Sequence, residues 1–148
     1  MDSARFSRYL PTERRLVENN YLNNETTQDI LLSAQFDEFV RKMRDEMMAN
    51  TDAKDVAELY IGLIQSDVAD MQGLTMGQFA CGAALCVGSI NVDGDNSRWD
   101  QWMKKFDGNQ NAPTYVFVDT PIDLGNGVTQ HRIVFSTDPE SNSVTGTL

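Results

Sequence analysis

The residues best suited to chemistry in this chain are its only two cysteines, Cys81 and Cys86, in the stretch QFACGAALCVGSINVDG. Four residues separate them, and short apolar runs typical of strands lie on both sides. In a hairpin with a four-residue loop the two positions face each other, and opposed antiparallel residues have Cα atoms about 4.5 Å apart. A disulfide requires a Cα separation of roughly 4.4–6.8 Å. The spacing therefore permits a cross-strand disulfide that closes the turn.

Other chemistries fit these cysteines less well, although two reduced and buried thiols remain an alternative. Thioredoxin-like redox sites use a Cys-x-x-Cys spacing at a helix N-terminus, whereas four residues lie between Cys81 and Cys86 and no basic residue is near them. A structural zinc site needs about four ligands, and the chain offers these two cysteines and one histidine, His131. Because disulfides persist in oxidising compartments, we expect a periplasmic or otherwise extracytoplasmic location.

A second candidate site is the run NVDGDNSRWD, in which Asn91, Asp93 and Asp95 alternate as in a calcium-binding loop. An EF-hand loop would then need glycine at position 96 and glutamate at position 102. The chain has Asn96 and Trp102 there. Asp and Asn are also common in turns that lead into a capped helix, so we interpret this run as a turn and predict no metal site.

His131 lies in a predicted strand beside Arg132. A general base needs an oriented partner and a nucleophile or water within reach, and the local sequence indicates neither. No phosphate-binding loop, nucleophile elbow or zinc-protease motif occurs. The sequence therefore favours a non-enzymatic protein without catalytic residues or a cofactor, and an enzyme built from His131 and distant carboxylates is the least favoured hypothesis.

Acidic residues outnumber basic ones, with 22 Asp and Glu against 12 Lys and Arg and a net charge of −10. No basic stripe is present, which argues against binding to nucleic-acid phosphates. An acidic surface most often serves solubility, and a basic protein partner is the alternative. No apolar run approaches the roughly 18–20 residues that span a bilayer. The start, MDSARFSRYLP, resembles a junction, so we expect membrane attachment only through a missing N-terminal segment.

The elements that would position these residues follow from hydrophobic spacing and from turn residues. Helical spacing predicts helices over about residues 11–23, 26–50 and 52–72, the second about 35 Å long at 1.5 Å per residue. After Gly73 the pattern predicts two strands, then a helix over DNSRWDQWMKKFDG, then a strand from PTYVFVD and a hairpin turning at Gly125-Asn126-Gly127.

This order, ααα-ββ-α-ββ, predicts an α+β fold in which the N-terminal helices pack with a four-stranded, mostly antiparallel sheet and all helices lie on one face of it. No linker divides the chain. We therefore expect a single domain over residues 1–136, with a helical part at 1–72, a ββαββ part at 73–136, and a flexible tail at 137–148.

The stretch FACGAALCVGSINVDGDNSRWDQWMKKF resembles a hairpin found in many uncharacterised secreted or membrane-anchored proteins of Gram-negative bacteria. Their pattern is Cys, four residues, Cys, a short apolar strand, a polar turn and an amphipathic helix. Members often carry Arg after each cysteine, where this chain has Gly82 and Val87. The resemblance implies a disulfide and an extracytoplasmic compartment, and it implies no activity.

The long predicted helix offers the sharpest hypothesis about interactions. A helix of about 35 Å can extend beyond a small domain and present an apolar face to a partner protein or a second copy. Its candidate face consists of Phe36, Val40, Met43 and Met47. We therefore expect a membrane-anchored, extracytoplasmic domain that acts through protein contacts, with a homodimer through this helix as one form. The alternative is a periplasmic inhibitor or immunity-type protein whose acidic face binds a basic enzyme.

Overall fold

The structure is a computed structural model that describes residues 9–18 and 21–139 and the backbone of 144–145. A 3-10 helix spans Glu13–Leu16, and four α-helices follow within the described residues: α1 Asn24–Leu32, α2 Phe36–Met48, α3 Thr51–Ala69 and α4 Ser97–Asp107. The strands are β1 Val17–Glu18, β2 Tyr21–Asn23, β3 Leu74–Cys81, β4 Leu85–Asp93, β5 Phe117–Gly125, β6 Val128–Ser136 and β7 Val144–Thr145.

The larger sheet has the strand order β3-β4-β6-β5 and is antiparallel throughout. Its β5–β6 hairpin turns where Gly125, Asn126 and Gly127 all have positive φ angles, of 84°, 55° and 77°. The predicted α+β class and the four-stranded sheet are therefore confirmed. A second, smaller sheet was not predicted: β1 pairs antiparallel with β2, and β2 pairs parallel with β7.

Helices cover both faces of the larger sheet. His131 of β6 stacks on Trp99 of α4 with ring centroids 3.8 Å apart, and on the same face Phe135 lies 5.8 Å from Tyr60 of α3. Neighbouring residues of a strand point to opposite faces, so Arg132 reaches the other face, where it contacts the junction of α1 and α2. The expectation that all helices lie on one face is therefore wrong.

The helix predicted over about residues 26–50 is broken in two. Ser33 ends α1 with extended backbone angles, φ −70° and ψ 145°, and its Oγ accepts the N–H of Gln35 at 2.9 Å. Arg132 Nη1 donates to the carbonyls of Leu31 and Ser33 at 2.8 and 3.0 Å. These carbonyls therefore accept hydrogen bonds from the Arg132 side chain instead of from the backbone N–H groups of a continuing helix. The remaining α2 has 13 residues, or about 20 Å, instead of about 35 Å.

The helix predicted over residues 11–23 is replaced by the 3-10 helix, β1 and β2. Burial alternates there as in a strand, because Tyr21 is 43% exposed and Leu22 is 1% exposed. Part of the tail predicted to be flexible is also paired, since β7 is a strand beside β2. Positions 1–8, 19–20, 140–143 and 146–148 lie outside the described residues. In the described part of the chain, no helix combines the length and apolarity needed to cross a bilayer.

Candidate functional site

Cys81 is the last residue of β3 and Cys86 the second residue of β4, and the two lie opposite each other and form a disulfide with Cα atoms 4.0 Å apart. Both are fully buried, and the Cys81 N–H donates to Met47 Sδ at 3.3 Å. The predicted disulfide is therefore confirmed. Because both sulfurs are bonded to each other and shielded from solvent, the pair serves to close the turn between β3 and β4.

A buried carboxylate that the sequence did not indicate binds the loop between the cysteines. Glu13 is fully buried. Its Oε1 accepts the N–H groups of Leu10 at 2.8 Å and Ala83 at 3.0 Å, and its Oε2 accepts those of Ala84 and Leu85, both at 2.8 Å. Three consecutive loop amides thus converge on one carboxylate, as in the backbone concavities that bind anions.

The approach of Glu13 to the loop requires glycine at position 82. A Cβ placed on Gly82 would lie 2.2 Å from the carboxylate carbon of Glu13, which is far inside van der Waals contact. Burial raises the pKa of Glu13 above its ordinary value, and the four backbone N–H donors act in the opposite direction. The glycine beside Cys81 is the one sequence feature that could have indicated a close approach to this loop, although no such approach was predicted from it.

A groove of about 660 Å³ runs between α2, α3 and β3, next to this hairpin. We call it the methionine groove, because three methionines contribute to its wall. The apolar side chains of this wall include Met47, Ile61, Val68, Met71, Met76 and Phe79. Met71 and Met76 are half-buried, so their side chains face both the protein and the groove. Methionine walls adapt to ligands of different shape because the side chain is flexible and polarizable.

Arg44 is the one charged residue in the described lining of the methionine groove. Residues three or four positions away on a helix are its surface neighbours, and for Arg44 these are Val40, Arg41, Met47 and Met48. None is a carboxylate, and no ion pair of Arg44 is present among the described residues. The groove therefore carries an exposed positive charge on a protein whose net charge is −10.

The β3 side of the groove is the edge of the larger sheet, and its strand is irregular. The register shifts between Met76 and Phe79, and a Cβ on Gly77 would lie 2.2 Å from Ser89 Oγ. Bulges on edge strands obstruct the pairing of a further strand. The groove is therefore shaped to accept side chains rather than an added β-strand.

A second groove, of about 520 Å³, lies over the disulfide loop and includes Ala83. Its lining contains Asp55 and Asp138 but no Lys, Arg or His among the described residues. Leu59, which is 49% exposed, contributes apolar surface. We call this the acidic groove, because its charges would attract a basic and partly apolar surface.

The structure buries the interaction face proposed for the long helix. The exposed fractions of Phe36, Val40, Met43 and Met47 are 1%, 0%, 0% and 7%. The prediction of an interaction face is therefore wrong, and these four residues form the core face of α2. The charged residues of α2 lie on its opposite side, so the apolar side is the one that packs into the protein. Met47 alone reaches the methionine groove.

His131 is held by one carboxylate and one ring. Its Nδ1 lies 2.9 and 3.0 Å from the two oxygens of Asp119, it stacks on Trp99, and it is 4% exposed. Its Nε2 has no hydrogen-bond partner among the described residues. His131 lines neither groove, nor a third cavity of about 410 Å³ beside Arg15. The stacked rings of His131 and Trp99 therefore pack α4 onto the sheet.

The run NVDGDNSRWD spans the last residues of β4, a turn at residues 94–96 and the first residues of α4. Asp95 Oδ1 accepts the backbone N–H of Ser97 at 2.9 Å and also its hydroxyl, and these hydrogen bonds lower the pKa of Asp95. In the chain as described, no cluster of three or more His, Cys, Asp or Glu side chains could hold a metal ion.

Comparison of the chain with protein-family models, curated proteins and solved structures found no match. The resemblance of residues 79–106 to secreted and membrane-anchored proteins is therefore supported only by the C-x4-C hairpin, whose disulfide the structure contains.

Proposed function

We propose that this chain is a non-enzymatic extracytoplasmic domain that binds another protein through the methionine groove. The observation that carries the proposal is the groove itself, about 660 Å³ in volume, in which methionine and other apolar side chains lie beside Arg44. Methionine side chains are over-represented at protein surfaces that bind partners of different shape. The buried disulfide supports an oxidising compartment, and a periplasmic, membrane-anchored setting belongs to the same proposal.

The occupant that fits this groove is an amphipathic helix of a partner protein with a carboxylate beside its apolar stripe. The bulge of β3 obstructs strand addition, whereas helices insert apolar side chains at positions i, i+3, i+4 and i+7 into such grooves. The carboxylate would meet Arg44, which has no acidic neighbour on its own helix. Because α2 is shorter than the sequence predicted and its apolar face is internal, a homodimer through that face is not part of the proposal.

Site-specific photocrosslinking in the native host tests this function. Gln65 lines the groove, and a benzoylphenylalanine at this position should form an adduct with a partner protein. The site of attachment on the partner should lie in an amphipathic helix that carries a carboxylate beside its apolar stripe. The same label at Gln101, an exposed residue of α4, should form none. The adduct should be lost in Arg44→Glu and retained in the matched variant Arg41→Glu, because Arg41 lies outside the groove and pairs with Glu38.

The results that would overturn the proposal are equally specific. Adducts of similar yield from both labelled positions, or a Gln65 adduct unaffected by Arg44→Glu, would show that the groove is not the binding surface. An adduct of twice the mass of the chain would identify a second copy as the occupant instead of a partner protein.

The acidic groove favours a second candidate function, that of an inhibitor or immunity-type protein bound to a basic enzyme. Its lining combines two carboxylates, Asp55 and Asp138, with the exposed Leu59. Complementary charges of this kind increase association rates and are screened by salt. A label at Leu59 whose adduct disappears at moderate salt would support this function, whereas apolar binding at the methionine groove would persist.

A further inference from the structure

The segment that carries Glu13 buries Tyr9, Leu10 and Leu16 in the protein and makes polar contacts with the rest of the protein at two points. Glu13 binds the loop between the cysteines. Thr12 donates its N–H to Glu46 Oε1 at 2.8 Å and its hydroxyl to Oε2 of the same residue. The polar contacts of the segment therefore join it to one half-buried residue of α2, Glu46, and to one buried loop, and of these two only the loop is closed by a disulfide.

The disulfide and the Glu13 contact each favour the other. A cross-link between Cys81 and Cys86 restricts the loop to few conformations, and three consecutive amides can meet one carboxylate in only some of these. In the other direction, the carboxylate packs against Gly82, the residue next to Cys81, and both sulfurs are fully buried. Thiol–disulfide exchange requires a thiolate to reach one of these sulfurs.

We propose that Glu13 and the Cys81–Cys86 loop form a redox-dependent latch. The oxidised loop holds residues 9–18 in place, and the held segment slows reduction of the disulfide. Reduction by a dithiol proceeds through attack of one thiolate on a sulfur of the bridge, followed by release of the second sulfur as the dithiol closes into its own disulfide. Two electrons pass to the bridge, and one proton ends on each of the two cysteine thiols.

The two halves of the latch are linked reciprocally, because a coupling free energy acts equally in both directions. Loss of the Glu13 contact should make the disulfide more reducible, and loss of the disulfide should release residues 9–18. Coupling between sites usually changes an equilibrium about 5- to 150-fold, and we expect effects in this range.

The first experiment measures how fast dithiothreitol exposes the cysteines of the folded protein to alkylation, followed by intact mass. Glu13→Gln should be reduced faster than wild type, and its equilibrium with dithiothreitol should shift about 5- to 150-fold toward the reduced form. Glu58→Gln, the same substitution at an exposed position of α3, should behave as wild type. Gly82→Ala should imitate Glu13→Gln by displacing the carboxylate, and Gly62→Ala is its control, because nothing lies within 4 Å of a Cβ there.

The second experiment measures release of the segment by limited trypsin digestion of the oxidised and the reduced, alkylated wild type. Cleavage after Arg14 or Arg15 should be slow in the oxidised protein and fast in the reduced protein. Cleavage after Arg44 in α2 reports unfolding of the whole domain and should remain slow in both forms.

Equal reduction rates in wild type, Glu13→Gln and Gly82→Ala would overturn the latch. It would also fail if Arg15 were equally resistant in both redox forms, or if cleavage after Arg15 and Arg44 increased together on reduction. In that last case the disulfide would hold the whole fold and not one segment. Should the variants not fold, the wild-type digestion decides the question by itself.

Discussion

At the scale of single residues, Glu13 is the side chain on which the hairpin loop most depends. Four backbone N–H groups donate to its two oxygens, and three of these hydrogen bonds, all except that of Ala83, are buried. In Glu13→Gln an NH₂ group replaces one acceptor oxygen and faces these donors. Each buried donor left without an acceptor costs about 1–3 kcal/mol, so we expect a clear loss of stability.

The pKa of Glu13 determines how this loss varies with pH. Because burial raises the folded pKa above 4.5, the folded state binds more protons than the unfolded state between 4.5 and the folded pKa, and stability falls as pH rises through this window. Gln does not titrate, so the deficit of Glu13→Gln should be largest below pH 4.5 and shrink as pH rises. Urea unfolding of both proteins across this pH range measures the deficit in the free energy of unfolding. A deficit that grows with pH would contradict the prediction, because it would mean that the N–H donors lower the pKa of Glu13 by more than burial raises it.

Sequence reasoning could find the cysteines but not Glu13, for a physical reason. Cys81 and Cys86 are five positions apart, so the geometry of a short hairpin determines whether they can bond. Glu13 is followed by Arg14 and Arg15, which is typical of a solvated helix. Its partner Ala83 lies 70 positions away, and nothing local indicates that a carboxylate will be buried against that loop.

At the scale of elements, Arg132 determines where α1 ends. The apolar spacing runs without interruption through Ser33, so periodicity alone predicts one long helix. The break depends on hydrogen bonds from β6, about 100 positions away, together with the competition of the Ser33 hydroxyl for a nearby backbone N–H. Tertiary contacts of this kind are absent from any sequence window.

Arg132→Met should therefore loosen α1 specifically. The substitution removes the donor to the carbonyls of Leu31 and Ser33, and hydrogen bonds to a charged group contribute about 1.5–3 kcal/mol. Amide hydrogen exchange in α1 should become faster by the factor that corresponds to this loss of free energy, and exchange in α4 should change little. Arg41→Met, at a side chain that is 60% exposed, is the control; equal protection of α1 in both variants would contradict this role of Arg132.

At the scale of the whole molecule, the helical part at 1–72 and the ββαββ part at 73–136 share one cluster of buried side chains that extends from Leu10 to Phe135. Hydrophobic spacing did not indicate that α1 and α2 lie on the sheet face opposite α3 and α4. That arrangement places β4 and β6 between two layers of helices. Neither part can then lose its packing without exposing a face of the same sheet.

We therefore expect one cooperative unfolding transition, which Met43→Ala should shift in every probe. Met43 is fully buried in α2, and such truncations cost about 2–5 kcal/mol. Trp99 and Trp102 report the opposite face by fluorescence, so their transition should shift as far as the helical signal in circular dichroism. Met48→Ala, in the same helix but at a residue 59% exposed, should change stability by less than about 0.5 kcal/mol. A fluorescence transition that stayed in place in Met43→Ala would mean that the two faces unfold separately and that residues 1–136 are not one cooperative domain.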